Sequence, residues 1–499
     1  MELKQRIAVI GAGASGIVSV KTCKEESLQV LCYEMTDKIG GLWNYREENI
    51  EGVGSVCLST VMNTSKELSA FSDFPPSEAY PNYMPHFLVA EYYQMYAKKN
   101  SLFSNILFNR KAISICPNHD HEVSGKWKVT AINYKTMKEE EDIFDAVLIC
   151  TGHHRYPKIV SFPSQEIFNG KIIHSHEYKT PSPYKNKRVL VVGSGNSALD
   201  IAVDLCGTAK MVYLSCRSGT WVMPRVGPKG EPFDSIFRSR IFFLIKEYLP
   251  EFIVNTFLEC IVNYYFNHKL YGLKPNIGFM NGHPSTNDLL SFYIISGSIT
   301  IKKNIKTLTK SGVIFTEEDA VVPIDDIILA TGYNANYSFI GNDIIDFSKG
   351  LYKEIVPPDL KHPTLGFIGL VQLLGSFVPI AEIQARWFVQ VLKGNITLPS
   401  KMKMQEWIRN AKSKRISQFG NNDRYSLEIR ENYIDELATE IGAKPSWLKM
   451  ILFDPKLFYH CLMGPFLPYQ YRLDGPHRWP GAREAILKFK QKLFTPFMK

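Results

Sequence analysis

The sequence has no cysteine-pairing pattern, and this absence excludes several classes of protein. Its nine cysteines are scattered along the chain, none forms a Cys-x-x-Cys pair, and their number is odd. Neither a disulfide framework nor a metal site is therefore predicted. A redox cysteine pair beside an electron carrier is missing as well. A reducing, cytosol-facing compartment fits this cysteine usage.

Long hydrophobic runs are also missing. No uninterrupted apolar stretch reaches the roughly 18 residues that a membrane-spanning helix needs. The residues before Arg6 do not form the basic-then-apolar leader of a secreted protein. The net charge of +9 is a mild bias that suits phosphate-rich ligands or an anionic membrane surface. We predict no nucleic-acid partner.

A glycine-rich turn near the start of the chain joins an apolar segment to a predicted helix. Residues 6–10 (RIAVI) are typical of a buried parallel strand, and a helix to about Lys24 follows the turn Gly11-Ala12-Gly13-Ala14-Ser15-Gly16. Gly11 permits the tight turn, Gly13 lets the backbone approach a pyrophosphate, and Gly16 lets helix and strand pack closely. A second strand, 29–33, ends at Glu34, whose carboxylate can accept hydrogen bonds from ribose hydroxyls.

The same pattern recurs before the midpoint of the chain. Strand 188–192 (RVLVV) leads into Gly193-Ser194-Gly195-Asn196-Ser197-Ala198, a helix to about Leu205 and a strand at 211–215. No acid ends this second strand, and Arg217 stands there next to a serine. Because an arginine attracts a 2′-phosphate that an acid would repel, this loop favours NADPH over NADH.

Two dinucleotide-binding patterns predict an α/β fold with two Rossmann-like domains, the second inserted into the first. Further strands at 145–150 and 325–330 each end in a Thr-Gly turn. We expect the first domain to comprise residues 1–160 and 325–445, and the second to comprise 161–324. A helical insertion at about 230–300 belongs to the second domain, and a helical or loop segment at 446–499 ends the chain.

The stretch 235–270 differs in composition from the rest of the chain. Apolar residues crowd it, charged residues interrupt it, and Pro250 breaks it. Two amphipathic helices are predicted, and two interpretations stay open. The helices either pack over a domain or lie on a membrane face.

Four short motifs complete the pattern: Gly40-Gly41-Leu42-Trp43, Asn63-Thr64-Ser65-Lys66-Glu67, Thr331-Gly332-Tyr333 and Trp479-Pro480-Gly481-Ala482-Arg483. Between the two glycine loops lies Phe168-x-Gly170-x-x-x-His174-x-x-x-Tyr178. Together these residues resemble the flavin-containing monooxygenases over nearly the whole chain, and the insertion resembles that of the animal microsomal-type members. The sequence ends Phe497-Met498-Lys499, and from it we expect no counterpart of the hydrophobic C-terminal anchor of those members.

The resemblance implies a definite chemistry. NADPH would reduce FAD, O2 would add to the reduced ring, and the resulting C4a-hydroperoxyflavin would oxygenate a soft nitrogen or sulfur atom of a small molecule. The cofactor would thus perform the difficult chemistry while the protein supplies position and dryness. Baeyer–Villiger oxygenation of ketones and an NADPH oxidase activity that releases hydrogen peroxide are the alternatives.

The resemblance also implies roles for individual residues. Asn63 is the catalytic candidate, because an amide can donate and accept hydrogen bonds at once. The residues expected to hold FAD are Gly11, Ala12, Gly13, Ala14, Ser15, Gly16, Glu34, Gly41, Leu42, Trp43, Asn63, Thr64 and Gln372. Those expected to hold NADPH are Gly193, Gly195, Asn196, Ser197, Ala198 and Arg217.

The 168–178 fingerprint is expected to act structurally. His174 and Tyr178 would form hydrogen bonds across the crossing between the two domains, and Gly170 would supply a turn. The resemblance places the protein on the cytoplasmic side, at the endoplasmic reticulum surface or in the cytosol, with peripheral membrane contact through 235–270 as one alternative. The oligomeric state stays open, with a homodimer among the alternatives.

Overall fold

The computed structural model describes residues 4–341, 344–371, 375–420 and 432–497. Its strands are β1 (Arg6–Ile10), β2 (Gln29–Glu34), β3 (Ile106–Phe108), β4 (Arg110–Pro117), β5 (Trp127–Asn133), β6 (Lys138–Phe144), β7 (Ala146–Ile149), β8 (Tyr156–Pro157), β9 (Lys171–His174), β10 (Arg188–Val192), β11 (Met211–Ser215), β12 (Val222–Met223), β13 (Ser285–Thr286), β14 (Ile299–Lys302), β15 (Ile305–Thr309), β16 (Gly312–Phe315), β17 (Val322–Pro323), β18 (Asp326–Leu329), β19 (Tyr333–Asn334) and β20 (Leu365–Phe367).

The α-helices share the surfaces around these strands. They are α1 (Ala14–Glu25), α2 (His86–Lys99), α3 (His121–Ser124), α4 (Asn196–Leu205), α5 (Phe233–Phe237), α6 (Arg240–Tyr248), α7 (Glu251–Tyr265), α8 (Leu290–Ile295), α9 (Val378–Leu392), α10 (Lys401–Phe419), α11 (Tyr433–Glu440), α12 (Trp447–Phe453), α13 (Pro455–Met463), α14 (Ala482–Leu487) and α15 (Phe489–Phe494).

The first parallel sheet has the strand order β20-β7-β1-β2-β3. Its central strand β1 pairs with β2 and β7, so that Ile7 lies opposite both Val30 and Ala146. Ile7, Ala8 and Val9 are fully buried. The uninterrupted apolar run is explained by this position, because a central parallel strand is covered on both faces.

The second parallel sheet has the order β14-β11-β10-β18-β9. Its central strand β10 pairs with β11 and β18, and β9, which carries His174, lies at the edge beside β18. Two smaller antiparallel sheets, β4-β5-β6 and β15-β16-β17, flank the large ones. The α/β fold class with two parallel sheets is confirmed.

The chain leaves the first sheet and later returns to it. After β7 it forms the whole of the second sheet, from β9 to β18, and only then contributes β20 beside β7. The second unit is thus inserted into the first in sequence. The domain boundaries given above remain predictions.

The inserted helices differ from the sequence prediction in number. Three helices, α5, α6 and α7, stand where two were predicted. The break at Pro250 is present, and a second break falls at Arg238 and Ser239. Ser239 adopts an extended conformation, and its hydroxyl oxygen accepts a 3.3 Å hydrogen bond from the Phe242 amide. Helix α5 ends at Phe237, and Ser239 caps α6, which apolar periodicity alone does not reveal.

The last four helices, α12 to α15, pack on residues of the first half of the chain. Leu68 and Ala70 share a buried cluster with Met450, Leu457 and other apolar side chains of these helices. Over residues 4–341, 344–371, 375–420 and 432–497, no helix combines the length and the apolar character that crossing a bilayer requires.

Candidate active site

One large cavity lies where the two parallel sheets meet, with a volume of about 1020 Å³. Both glycine loops open onto it. The predicted site residues in its wall are Gly11, Gly13, Ala14, Ser15, Glu34, Gly41, Leu42, Trp43, Asn63, Thr64, Gly195, Asn196 and Ser197. The fold therefore brings most of the predicted residues together, although they come from segments far apart in the sequence.

The first glycine loop is held in a shape that needs glycine. Gly11 has φ +101°, and a Cβ there would lie 2.9 Å from the carbonyl oxygen of Cys150. A Cβ on Gly16 would overlap the carbonyl oxygen of Gly11. Gly13 is the N-cap of α1 and has an extended backbone, with no side chain capping the helix. The first N–H groups of α1 are thus left for an anion.

Glu34 connects the end of β2 to this loop. One carboxylate oxygen, Oε2, accepts a 2.7 Å hydrogen bond from the Ala12 amide. The other, Oε1, accepts hydrogen bonds from the Thr36 amide and hydroxyl at 2.9 and 2.7 Å. Oε1 already accepts two hydrogen bonds, but Oε2 accepts only one, so Glu34 can brace the loop and still accept a ribose hydroxyl at Oε2. The bracing role was not predicted from the sequence.

The second glycine loop is braced by the insertion. Gly193 has φ +142°, and a Cβ there would collide with the carbonyl oxygen of Ala330. The Thr286 amide donates a 2.8 Å hydrogen bond to Asn196 Oδ1. Ser285 Oγ donates to the carbonyl oxygen of Ser194, also over 2.8 Å. Gly195 is the N-cap of α4, so this helix too presents its first N–H groups to the cavity.

Arg217 lies two residues beyond the end of β11 and is exposed. Ser218 beside it is exposed as well. Both follow the strand end at which a Rossmann-like fold holds the ribose of its dinucleotide. The position suits a contact with a 2′-phosphate, which remains a prediction.

Asn63 has a partner that the sequence did not indicate. Arg225, in the segment between β12 and α5, donates a 2.6 Å hydrogen bond from Nη2 to Asn63 Oδ1. Its Nε also donates to the carbonyl oxygen of Met62 at 3.3 Å. No periodic or motif signal marks Arg225, because the contact joins residues 162 positions apart.

Two carboxylates flank Arg225. Asp288 Oδ2 lies 3.2 Å from Nη1, and Asp200 Oδ1 lies 3.7 Å from Nη2. Asn287 donates a 3.0 Å hydrogen bond to the same Asp200 oxygen. Burial raises the pKa of Asp200 to about 6, although Arg225 and Asn287 act in the opposite direction. Asp200 belongs to α4, so this ion cluster connects the second glycine loop with Asn63.

Two histidines near the junction are disfavoured as cations, because burial lowers the pKa of both His153 and His174 to about 4. His154 is exposed and lines the cavity. His174 is fixed through both ring nitrogens: Nε2 lies 3.1 Å from the carbonyl oxygen of Gly332, and Nδ1 accepts from the His176 amide. With both nitrogens occupied by backbone groups, His174 serves as a structural residue rather than a proton carrier.

One expectation about the 168–178 fingerprint is wrong. Tyr178 does not bridge the domains, because its hydroxyl donates a 2.6 Å hydrogen bond to Asp204 on α4, within the second unit. Gly170 lies at a bend directly before β9. It also allows close approach, since a Cβ there would collide with the carbonyl oxygen of Asp325. His174 alone meets the start of the crossing back, at Gly332.

The remaining predicted residues divide into two groups. Ala12, Gly16 and Ala198 lie behind the loops, where Ala12 and Ala198 are fully buried. Gln372 falls outside the described residues. The position of Gln372 relative to the cavity therefore stays a prediction.

The cavity wall fits two bound dinucleotides. Two helix N-termini, those of α1 and α4, begin at glycines and open onto it. Thr151 Oγ1 and His153 Nδ1 are buried in its wall and have no hydrogen-bond partner among the described residues. A buried polar group without a partner is costly, so these atoms are suited to contact a polar ligand.

The sequence of residues 4–499 matches the protein family described as flavin-binding monooxygenase-like. The chain belongs to this family. It is 41% identical to rat flavin-containing monooxygenase 5 over 502 residues, which covers 99% of this chain and 93% of the relative. It is 42% identical to human flavin-containing monooxygenase 2 and 41% identical to mouse dimethylaniline monooxygenase [N-oxide-forming] 2, with the same coverage.

Solved structures of other oxygenases share the fold of this monooxygenase. The S-allyl-L-cysteine S-oxygenase of Allium sativum has a TM-score of 0.68 at 24% identity, over 98% of this chain and 99% of that chain. Cyclohexanone monooxygenase from Rhodococcus sp. Phi1, bound to NADP+, has a TM-score of 0.64 at 17% identity, over 88% and 97%. At these identities the likeness establishes the fold alone.

The family settles the reaction type and the cofactors. The protein is a flavin-containing monooxygenase that uses FAD and NADP(H), which confirms the cofactors that the resemblance implied. Its substrate class is not fixed by family membership, because the fold hosts several oxygenations.

Proposed function

We propose that this monooxygenase uses NADPH and O2 to oxygenate a soft nitrogen or sulfur atom of a small molecule. One oxygen atom passes to the substrate and the other leaves as water, while NADPH supplies the two electrons. The observation that carries the proposal is the single cavity shared by both glycine loops and Asn63. A printed name among the relatives, dimethylaniline monooxygenase [N-oxide-forming], supports nitrogen as one target.

The first loop would hold FAD and the second NADPH. Gly13 and Gly195 begin the helices whose N–H groups would bind the two pyrophosphates, and Glu34 would accept the adenosine ribose of FAD. Arg217 would bind the 2′-phosphate of NADPH. FAD, when bound, supplies the chemistry that accepts electrons from NADPH and activates O2.

The residues of the chain would supply position and dryness. Thr64 and Asn63 would offer hydrogen bonds at the reacting end of the cofactors, and Arg225 limits how Asn63 does so. The insertion contributes apolar side chains to the same cavity, namely Phe233, Phe237, Leu258, Phe279 and Met280. An apolar wall excludes water, which strengthens polar interactions inside and protects reactive species.

The test is a balance of electrons. Purified enzyme carrying FAD is mixed with NADPH and O2 in the presence of a tertiary amine, a thioether or a ketone, and NADPH consumed, oxygenated product and hydrogen peroxide are all measured. Amine oxide or sulfoxide that accounts for most of the NADPH supports the proposal. Ester formation from the ketone alone identifies a Baeyer–Villiger enzyme, and peroxide equal to NADPH identifies an oxidase.

We also propose that the protein touches a membrane surface through α6, α7, α12 and α13. These helices carry exposed apolar side chains, among them Tyr248, Phe252, Leu452 and Phe453. The two pairs are neighbours, because the guanidinium of Arg240 at the start of α6 lies 5.0 Å from the ring centroid of Trp447 at the start of α12. A large exposed apolar surface with a net charge of +9 suits an anionic bilayer.

A further inference from the structure

Arg225 lies where three parts of the molecule meet. The loop of Asn63 is on one side, α4 with Asp200 is on another, and the segment that follows β13, with Asp288, is on the third. The Arg225 side chain is 13% exposed. A guanidinium this enclosed is held by its partners rather than by water, and it fixes the orientation of whatever it contacts.

The contact decides which way the Asn63 amide points. A guanidinium has only donors, so the group that faces Arg225 Nη2 over 2.6 Å must be the amide oxygen of Asn63. The amide nitrogen is therefore directed away from Arg225. Without such a partner, an amide can rotate and exchange its oxygen and nitrogen. Arg225 removes this choice and presents N–H donors from a residue of the cavity wall.

Arg225 is itself held from the side of the second glycine loop. Its backbone amide donates a 2.7 Å hydrogen bond to Asp288 Oδ1, and Nη1 lies 3.2 Å from Asp288 Oδ2. Asp200, whose Oδ1 lies 3.7 Å from Nη2, sits one helical turn after Asn196 at the start of α4. A continuous series of polar contacts therefore runs from the second loop to Asn63.

We propose that Arg225 is a positioning residue, which fixes the Asn63 amide with its nitrogen available to the cofactors and couples that orientation to the second glycine loop through Asp200 and Asp288. The effect of this coupling on oxygenation rests on the proposed function. Its effect on NADP+ affinity does not, and it can be measured without any substrate. It follows that loss of Arg225 acts through Asn63 and not independently of it.

A double-mutant cycle tests this directly. The variants are Arg225→Gln, Asn63→Ala and the double variant, each loaded with FAD. Arg188→Gln is the matched control, because Arg188 is the first residue of β10, at the opposite end of that strand from the second glycine loop, and forms a 2.5 Å ion pair with Asp325. Two quantities are measured: the Kd of NADP+ by titration calorimetry, and the fraction of consumed NADPH that appears as hydrogen peroxide.

We expect Arg225→Gln to weaken NADP+ binding about tenfold and to raise the peroxide fraction, since it removes a charged hydrogen bond. Asn63→Ala should do the same, and the double variant should be no worse than Asn63→Ala within about twofold. Arg225→Lys, which keeps the charge but loses the fork of donors, should restore part of the binding and little of the coupling.

Two results would overturn the proposal. In one, the effects of Arg225→Gln and Asn63→Ala multiply in the double variant, which means that the residues act separately. In the other, Arg225→Gln binds NADP+ and partitions NADPH as Arg188→Gln does. If Arg225→Gln does not fold, the cycle is run with Arg225→Lys. Failure of the proposed function would look different. The wild-type enzyme would then oxygenate no amine or thioether, while the double-mutant cycle on the Kd of NADP+ would still show the coupling.

Discussion

Gly16 and Gly11 approach each other so closely that no Cβ fits between them. A methyl group on Gly16 would overlap the carbonyl oxygen of Gly11, at the point where β1 passes into α1. Gly13, between them, is different. A Cβ on Gly13 would meet its nearest atom, Gly41 Cα, at an ordinary 3.7 Å. The three glycines therefore serve different purposes, one of which concerns a ligand rather than the protein.

Replacing Gly16 and Gly13 by alanine should separate these purposes. Gly16→Ala should lower the yield of folded protein, because backbone atoms would have to move. Gly13→Ala should fold but bind FAD at least about tenfold more weakly, since its methyl group would enter the space left for the pyrophosphate. The measurements are circular dichroism and FAD content per chain. A Gly13→Ala protein that keeps full FAD would show that this loop does not hold the pyrophosphate.

Arg217→Ala should reduce the preference for NADPH over NADH. Loss of a charged contact to the 2′-phosphate is expected to lower kcat/KM for NADPH about tenfold or more and to leave that for NADH nearly unchanged. Lys306→Ala is the control for a lost positive charge in the same unit. The Lys306 side chain is exposed, and its 3.7 Å ion pair with Asp319 lies on the surface. An equal loss for both nucleotides would remove Arg217 from the account of cofactor choice.

The pKa of Asp200, about 6, predicts a pH dependence. Below this pH the Asp200 carboxyl is protonated, so Arg225 loses its charged contact with α4 and keeps only Asp288 as a charged partner. Because this weakens the proposed coupling to Asn63, the peroxide fraction should rise as the pH falls through about 6. The groups that face Asp200 are Arg225, Asn287 and Asp288, with Cys57 nearby. Asp200→Asn should show the elevated fraction already at pH 8, without a transition near pH 6.

The raised pKa of Asp200 also predicts how the stability of the fold depends on pH. Because the pKa of Asp200 is raised from 3.8 in the folded protein, its ionisation costs free energy of folding. The unfolding free energy of the wild type relative to Asp200→Asn should fall as the pH rises from about 4 to about 6, and stay level above. Denaturant titrations at each pH measure this. A difference that grows with pH would contradict a raised pKa.

The fingerprint residues should affect stability more than turnover. His174→Ala leaves the buried amide of His176 without a partner, whereas the carbonyl oxygen of Gly332 keeps its hydrogen bond from the Lys158 amide. The substitution should cost about 1–3 kcal/mol. Tyr178→Phe removes one partly buried hydrogen bond, the one from the tyrosine hydroxyl to Asp204, and should cost about 1–2 kcal/mol. For both variants, kcat per bound FAD should stay within about twofold of wild type. A tenfold loss in kcat at unchanged FAD content would assign His174 a role in the reaction.

Membrane contact can be measured by sedimentation with vesicles. Phe252→Glu with Phe453→Glu places charges on two side chains that are 70% and 81% exposed, so folding should be unaffected. We expect wild type to sediment with phosphatidylserine vesicles and the double variant to remain in solution. Glu substitutions at Tyr134 and Met137, exposed residues near the β5–β6 turn, are the control. If wild type ignores vesicles but forms dimers that the double variant lacks, the surface binds a second copy of the chain instead.

Local signals predicted the glycine loops well. The apolar runs 6–10 and 188–192, each followed by a glycine turn, determine strand, turn and helix within about twenty residues, and the structure has all three at both places. These elements depend on neighbours in sequence, where pattern and steric requirements suffice.

Long-range partners could not be predicted in the same way. The contact of Arg225 with Asn63, and that of Tyr178 with Asp204, depend on how segments dock after they fold. The helix break at Ser239 was missed for a related reason, because a serine cap competes with apolar periodicity and only its backbone conformation reveals which one prevails. Residue types at these positions carry no signature by themselves.

The position of strand β20 determines which of the two parallel sheets can be completed first during synthesis. Because β20 lies beside β7 yet follows every strand of the second sheet, a growing chain holds an unfinished first sheet until residue 367 has emerged. The second unit can fold during that interval, with its own loop and helix α4 already formed. If the second loop holds NADP(H), as proposed, a newly made molecule can form that site before the site for its flavin is finished.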